Sequence, residues 1–188
     1  MLAIMDRQVD QLTALTDDLL DAARVDRNMI VLHRSTIDLR ALVLTSVEDN
    51  LALFQGNAID LVVEVPDRPL MILADHVRLA QILGNLLHNA AKFTPAGGQV
   101  ILIVERLPDT DSTRISVRDT GVGIEPDLLP QVFEPFVQGD GSLAHSKGGL
   151  GLGLALAKGV VELHGGSIQA ASDGSGLGAT FTIDLPLG

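Results

Sequence analysis

Apolar residues that recur at three- and four-residue steps predict helices in four parts of the chain. Asp38 and Asp75 each precede such a pattern, where a carboxylate accepts hydrogen bonds from the first free N–H groups of a helix. The first pattern begins at Met1, which predicts a segment of a longer protein, and its apolar stripe requires a second helix to cover it. The predicted helices are residues 1–27, 38–53, 75–93 and 149–164, with a short one near 127–132.

Alternating or continuous apolar runs predict six strands. Two flank the turn Pro66–Pro69, two flank Pro108–Ser112 and two flank Asp173–Gly176, so each pair is expected to be joined by its turn. The run that begins at Gln99 is apolar almost throughout, which is typical of an inner strand. The predicted strands are residues 59–65, 70–74, 99–107, 114–119, 166–172 and 178–186.

The strand 114–119 ends in an acidic residue that the alternation places inside the protein. Ile115 and Val117 occupy its apolar face, and two residues further Asp119 falls on that same face. A buried carboxylate costs several kcal/mol unless a group donates to it. Gly121 and Gly123 leave room for a flat ligand beside the backbone. Taken alone, these residues also fit an ordinary turn at a strand end.

The polar side of the helix 75–93 carries a row of amide and amine groups. Asn85, Asn89 and Lys92 are spaced so that they lie in one line along the helix. Such a row is commonly a solvated face, but asparagine is a weak helix former, and two in mid-helix require another reason. An amide oxygen is a suitable ligand for Mg²⁺, and lysine suits phosphate.

Residues 139–149 contain almost no core-forming side chain and predict a mobile loop. The following Gly149, Gly151 and Gly153 open an apolar helix. Glycines at a helix N-terminus expose N–H groups that form an anion site. The same glycines are also compatible with close packing of a helix on a sheet.

Composition excludes several function classes. The 188 residues carry a net charge of −11, which disfavours binding to nucleic acid or to an anionic membrane. They are 46% hydrophobic but only 3% aromatic, so stacking platforms for bases are not expected. There is no cysteine, so neither a disulfide nor a thiolate metal site is expected, and no apolar run reaches transmembrane length, which predicts a soluble segment.

Five segments resemble, in the same order, the motifs of the ATP-binding domain of sensor histidine kinases in the GHKL superfamily. Together they span about Asp75 to Pro186, so the match is specific although each motif alone is weak. The segments are an N box at Asn85–Thr94, glycine boxes at Asp119–Gly123, Gly148–Leu154 and Gly176–Phe181, and an F box at Phe133–Phe136.

This resemblance implies an α/β fold, a two-layer sandwich with one mixed sheet under three helices, preceded by the long N-terminal helix. Residues 1–33 resemble part of the second helix of the family's dimerisation and phosphotransfer hairpin. Residues 34–188 resemble the catalytic ATP-binding domain.

The resemblance also implies a role for each site residue. Asp119 takes the adenine amino group, Asn89 holds Mg²⁺, and Phe133 and Phe136 anchor the neighbouring lid. Asn85 and Lys92 act beside the metal and the phosphates, as the catalytic pair. The remaining nucleotide-binding positions are Gly121, Gly123, Lys147, Gly149, Leu150, Gly151, Gly153 and Thr180.

The departures from the family pattern refine the expected activity. Related ATP-hydrolysing clamps have a glutamate at the position of Asn85, and an amide lacks the basicity to activate water, which favours phosphoryl transfer. None of the five histidines lies in the family's phosphoacceptor box. We therefore expect that the chain does not phosphorylate itself but phosphorylates a hairpin of its parent. The expected partners are this hairpin, a response regulator that receives the phosphoryl group, and a second copy that forms a homodimer through the N-terminal helix. Two alternatives stay open: a non-catalytic nucleotide-binding module and an anti-sigma-factor-type serine kinase.

Overall fold

The computed structural model describes residues 30–138 and 150–188. The predicted N-terminal helix 1–27, the loop 139–149 and the candidate residues Lys147 and Gly149 lie outside these ranges. The described strands are β1 (Ser35–Asp38), β2 (Asp60–Glu64), β3 (Met71–Ala74), β4 (Gln99–Leu107), β5 (Ser112–Asp119), β6 (Ser167–Ala171) and β7 (Thr180–Pro186). The described helices are α1 (Leu39–Gly56), α2 (His76–Phe93), α3 (Gly153–Leu163) and a 3₁₀ turn at Leu129–Gln131.

Five of the described strands form one mixed sheet in the order β2-β4-β5-β7-β6. β2 runs parallel to β4, and the other neighbours are antiparallel. Alternate residues such as Leu102 and Val117 are buried and face the helices. The two-layer α/β sandwich predicted from the sequence is confirmed.

The helices cover the sheet with the apolar stripe that their periodicity predicts. On α2 the side chains of Leu79, Ile82 and Leu86 are at most 2% exposed. Val77, predicted on the same stripe, is instead 71% exposed, because at 3.6 residues per turn it lies on the side of α2 opposite to Leu79. Burial of each large aliphatic side chain stabilises the fold by about 1.5–3 kcal/mol.

The strands on either side of Pro66–Pro69 are present as predicted, but they do not pair with each other. β2 pairs with β4, whereas β3 pairs with β1, a strand that the sequence patterns did not predict. Asp38 Oδ1 accepts a hydrogen bond from Leu70 N at 3.0 Å, and Leu39 N donates to Leu70 O at 2.9 Å. These contacts hold β3 beside β1, so the turn connects two sheets rather than two partners in one sheet.

Asp75 caps α2 and also binds the segment that precedes β1. Its Oδ1 accepts hydrogen bonds from Val77 N and Arg78 N, both at 3.1 Å, as expected for an N-cap. Its Oδ2 accepts from His33 N at 2.8 Å. Burial raises the pKa of the Asp75 carboxyl, but the N–H donors of His33, Arg78 and Val77 outweigh it, so the pKa is lowered overall.

The same node extends to the end of α3. Asp75 N donates to His164 Nε2 at 3.0 Å, so the proton of this buried imidazole lies on Nδ1, which donates to Val160 O at 2.8 Å. Arg34 also donates to Leu163 O. Ile30 is buried in the core, so contacts of the α/β unit reach four residues before the predicted division at residue 34. The assignment of residues 1–29 stays a prediction.

We expect Asp75→Ala to lower the free energy of unfolding by about 1–3 kcal/mol at neutral pH, because three N–H donors lose their acceptor. Since the folded-state pKa of Asp75 is lowered, its stabilisation is present above the unfolded value of about 3.9 and is lost as the pH falls through the folded value. Urea unfolding across this pH range measures both effects. The exposed Asp67→Ala is the control. A loss that is independent of pH would contradict the assignment.

Candidate functional site

Asp119 lies at the end of β5 with its carboxyl group turned inward. Only 6% of the residue is exposed, which confirms the orientation inferred from strand alternation. Oδ1 accepts hydrogen bonds from Gly121 N at 2.8 Å and from Ala179 N at 3.2 Å. Among the described residues none donates to Oδ2. One oxygen is therefore held by the protein, and the other remains an acceptor for a ligand.

The electrostatic state of Asp119 follows from this half-satisfied environment. Burial raises the pKa of the carboxyl, and the N–H groups of Gly121 and Ala179 lower it. Burial prevails, so the pKa lies above its usual value. A ligand N–H directed at Oδ2 would favour the ionised form and offset part of the burial cost.

Two loops meet beside Asp119 through their backbones. Gly178 N donates to Gly121 O at 3.1 Å, and Gly176 N donates to Val122 O at 2.7 Å. The first glycine box after β5 is thereby joined to the loop between β6 and β7. The two donors to Asp119 come from these same two segments, so their contact determines the position of the carboxyl group.

This close approach requires residues without a side chain. A Cβ atom at Gly123 would lie 2.0 Å from Gly174 O, and one at Gly178 would lie 2.0 Å from Asp119 O. Both glycines also have positive φ, at 72° and 73°. The glycine spacing read from the sequence therefore reflects backbone-on-backbone packing at the site.

The polar row on α2 faces the start of α3. Asn85, Asn89 and Lys92 are each half-buried. Asn85 Nδ2 donates to Gly153 O at 3.4 Å, so the N box and the second glycine box are in contact. The structure thus brings these two predicted motifs together.

Asn89 and Lys92 are available for a ligand. Within the described ranges, no hydrogen bond joins the Asn89 amide to another residue. Lys92 Nζ lies 4.8 Å from the centre of the Phe93 ring, and burial lowers the pKa of its ammonium group. A phosphate anion would compensate this loss of hydration. An amide oxygen and a cation are therefore placed one turn apart.

The second glycine box is tied to the F box. Phe136 N donates to Gly151 O at 3.1 Å, and a Cβ atom at Gly151 would lie 2.8 Å from Val137 O. α3 begins only at Gly153, later than predicted, and its first N–H groups have no acceptor within the helix. Leu150, which precedes them, is 39% exposed. These N–H groups lie where the sequence predicts an anion site, and that role stays a prediction.

The two phenylalanines of the F box differ in their surroundings. The Phe133 ring packs edge to face against Phe181, with their centroids 6.3 Å apart. Phe136 is 63% exposed and has a positive φ of 66°. The anchoring of the lid by both phenylalanines stays a prediction, because the loop 139–149 lies outside the described ranges.

Thr180 has its side chain on the sheet face opposite to that of Asp119. It pairs with the exposed Arg118, so its side chain lies on the sheet face opposite to the helices. The residue nevertheless lines the same cleft as Asp119, a cavity of about 180 Å³ that also includes Arg118 and Ala171. Ala179 lies on the side of Asp119 instead. The alternation of Ala179 with Phe181 was the sequence signal that could have shown this.

Comparison with known proteins identifies the same motif region. A model for the family described as histidine kinase-, DNA gyrase B- and HSP90-like ATPase matches residues 74–188. The hybrid signal transduction histidine kinase D of Dictyostelium discoideum is 35% identical over 189 residues, covering 99% of this chain and 12% of that protein. The sensor histidine kinase WalK of Bacillus subtilis is 31% identical over 185 residues, covering 98% of this chain and 30% of that protein. The chain thus spans less than a third of the length of either relative.

Solved structures show the same fold. Full-length ShkA in complex with AMPPNP has a TM-score of 0.83 and 33% identity, covering 98% of this chain and 37% of that one. The nucleotide-free catalytic domain of histidine kinase ThkA has a TM-score of 0.72 and 26% identity, covering 82% of this chain and 96% of that one.

We expect Gly178→Ala to lower the free energy of unfolding by about 1–3 kcal/mol more than Gly176→Ala. Both positions have positive φ, but an added Cβ meets Asp119 O at Gly178 and nothing within 4 Å at Gly176. The two variants therefore separate steric contact from backbone strain. Chemical unfolding of both proteins measures the difference. Equal losses would contradict the close packing of the two loops.

Proposed function

Since this chain belongs to the histidine kinase-, DNA gyrase B- and HSP90-like ATPase family and carries the ATP-binding catalytic domain of a sensor histidine kinase, we propose that it transfers the γ-phosphoryl group of Mg-ATP to a histidine on its parent's phosphotransfer hairpin. The observation that carries this proposal is the buried Asp119 carboxyl, which the protein satisfies on one oxygen only. Acid-labile label on that hairpin would test it directly.

In this proposal the adenine ring lies beside the first glycine box. Asp119 Oδ2 accepts a hydrogen bond from the adenine amino group, which supplies the missing donor. Gly121 and Gly123 are proposed as nucleotide-binding positions on the strength of the sequence motif, since the space that their side chains would fill is taken by Phe93 O and Gly174 O. Because Asp119 is buried at the end of β5, a ligand that reaches it must direct an N–H group into the protein, as the amino group of adenine would.

The metal and phosphates lie along the polar row of α2. Asn89 holds Mg²⁺ through its amide oxygen, which fits a hard cation and has no competing partner among the described residues. When bound, Mg²⁺ neutralises charge on the β- and γ-phosphates. Lys92 contributes a second positive charge. Asn85 stands one turn earlier beside this site.

The start of α3 holds the triphosphate through backbone N–H groups. Gly151 and Gly153 lie at the end of the helix where the partial charge is positive, and Leu150 precedes them. Lys147 and Gly149, outside the described ranges, are proposed as further contacts on the strength of the sequence motif.

Transfer rather than hydrolysis follows from the side chain at position 85. Asn85 is held against Gly153 O and carries no carboxylate that could deprotonate water. The chain's own residues then bind and orient ATP, and the nucleophile comes from the hairpin. Positioning of this kind supplies most of the rate in phosphoryl transfer.

The partners proposed for the parent protein are the phosphoacceptor hairpin, the receiver domain of a response regulator, and a second copy bound through the N-terminal helix. No helix within residues 30–138 and 150–188 is long and apolar enough to cross a bilayer. We propose a cytoplasmic location for this segment, on the side of the membrane where ATP is available.

We expect Asp119→Asn to weaken ATP binding by about 5- to 150-fold, equivalent to 1–3 kcal/mol. The Asn oxygen can still accept from Gly121 N and Ala179 N, while its amide then opposes the adenine amine. Protonation of Asp119 should also weaken ATP binding to the wild-type protein as the pH falls. Because the pKa of Asp119 is raised, this weakening should begin at a higher pH than it would for an ordinary aspartate. Calorimetry measures both. The exposed Asp173→Asn should bind like wild type, and equal affinity in Asp119→Asn would exclude this role.

We expect the chain incubated with γ-labelled ATP to carry no acid-labile label until the parent's hairpin is added, which then becomes labelled. Asn89→Ala should abolish this transfer because the metal loses its protein ligand. The exposed His76→Ala, on the same helix, should retain it. Label on the isolated chain would reveal a phosphoacceptor within it, and no label with the hairpin present would favour a non-catalytic module.

A further inference from the structure

The hydroxyl group of Ser172 joins the two loops that position Asp119. Ser172 Oγ accepts a hydrogen bond from Ile124 N at 3.0 Å and donates to Gly178 O at 2.7 Å. Ile124 is 48 residues away in sequence and directly follows the first glycine box. Gly178 directly precedes Ala179, which donates to Asp119. One hydroxyl therefore contacts both segments that supply donors to the buried carboxyl group.

The other contacts between these loops are mostly between backbone atoms. At Gly123 and Gly178 the two backbones lie too close to each other for a side chain between them. A hydroxyl that donates to one segment and accepts from the other fixes their separation. Ser175 also spans the loops, by contacting Glu125, but both of these residues are exposed at the surface. Ser172 is half-buried, and its partners Ile124 and Gly178 lie three residues and one residue from the donors Gly121 and Ala179.

We propose that Ser172 is a positioning residue for adenine recognition, holding the two loops so that Asp119 presents Oδ2 to the purine amino group. The inference rests on the proposed function, because it assumes that this carboxyl group selects adenine. Removing the hydroxyl leaves Ile124 N and Gly178 O without their bridge. The two donors to Oδ1 are then free to shift, and Asp119 loses its defined orientation.

The expected consequence is a loss of base selectivity rather than a uniform loss of binding. Inosine triphosphate carries an oxo group where ATP carries the amino group, and otherwise presents the same ribose and phosphates. The full chain should therefore prefer ATP. In Ser172→Ala the ratio of ATP affinity to inosine triphosphate affinity should fall about 3- to 10-fold, the size expected from weakening one hydrogen bond.

The experiment measures both affinities by calorimetry for a matched set of variants of the full chain. Ser172→Thr keeps the hydroxyl and should keep the ratio, and Ser175→Ala removes the surface hydroxyl of the same loop and should also keep it. If Ser172→Ala does not fold, Ser172→Cys, with its weaker donor, should give a smaller fall in the ratio. Asp119→Asn supplies the reference for lost selectivity.

The outcomes separate this proposal from the proposed function. If Ser172→Ala and its Cys counterpart weaken both nucleotides equally, Ser172 has only a structural role and the proposal is overturned. In the double variant with Asp119→Asn, the ratio should fall no further than in Asp119→Asn alone, because Ser172 acts through Asp119. An additional fall would overturn the proposal. A wild-type chain without any preference for ATP would overturn the adenine assignment and this inference together.

Discussion

A carboxyl group buried at the end of a central strand is the constraint on which the candidate site depends. Asp119 is carried inside by the same alternation that buries Ile115 and Val117, and it would be costly there without donors. Gly121 N and Ala179 N satisfy one oxygen, yet burial still raises the pKa. Asp119 Oδ2 is therefore left without a donor among the described residues, and the amino group of a purine would supply one.

The glycine motifs follow from the way in which Asp119 Oδ1 receives its two hydrogen bonds. Both donors are backbone groups on separate loops, and these loops come together only if their backbones approach without side chains between them. At Gly123 and Gly178 an added Cβ would fall 2.0 Å from a carbonyl oxygen of the neighbouring segment. The glycines thus determine the geometry of the carboxyl group.

A second polar node holds the helices that carry the rest of the site. Asp75 caps α2, the helix that carries Asn85 and Asn89. The backbone N–H of Asp75 also donates to His164 at the end of α3. The first residue of α3, Gly153, accepts a hydrogen bond from Asn85. His33 joins the same node from the preceding segment. The relative position of α2 and α3 is therefore tied to the chain that enters the domain.

The sequence alone determined the features that arise from local regularity. Strand alternation placed Asp119 inside, helical periodicity gave α2 its buried stripe and its polar row, and the order of the motifs identified the fold. Only the tertiary structure decided which strands pair, so β3 lies against β1 rather than β2. It also showed that Ala179, not Thr180, lies on the side of Asp119, and that Ser172 bridges the loops. The reason is physical. Periodicity is a property of neighbouring residues, whereas strand partners and backbone donors depend on contacts between residues far apart in sequence. Every residue type except proline offers the same backbone N–H group, so the sequence does not mark which one becomes a donor.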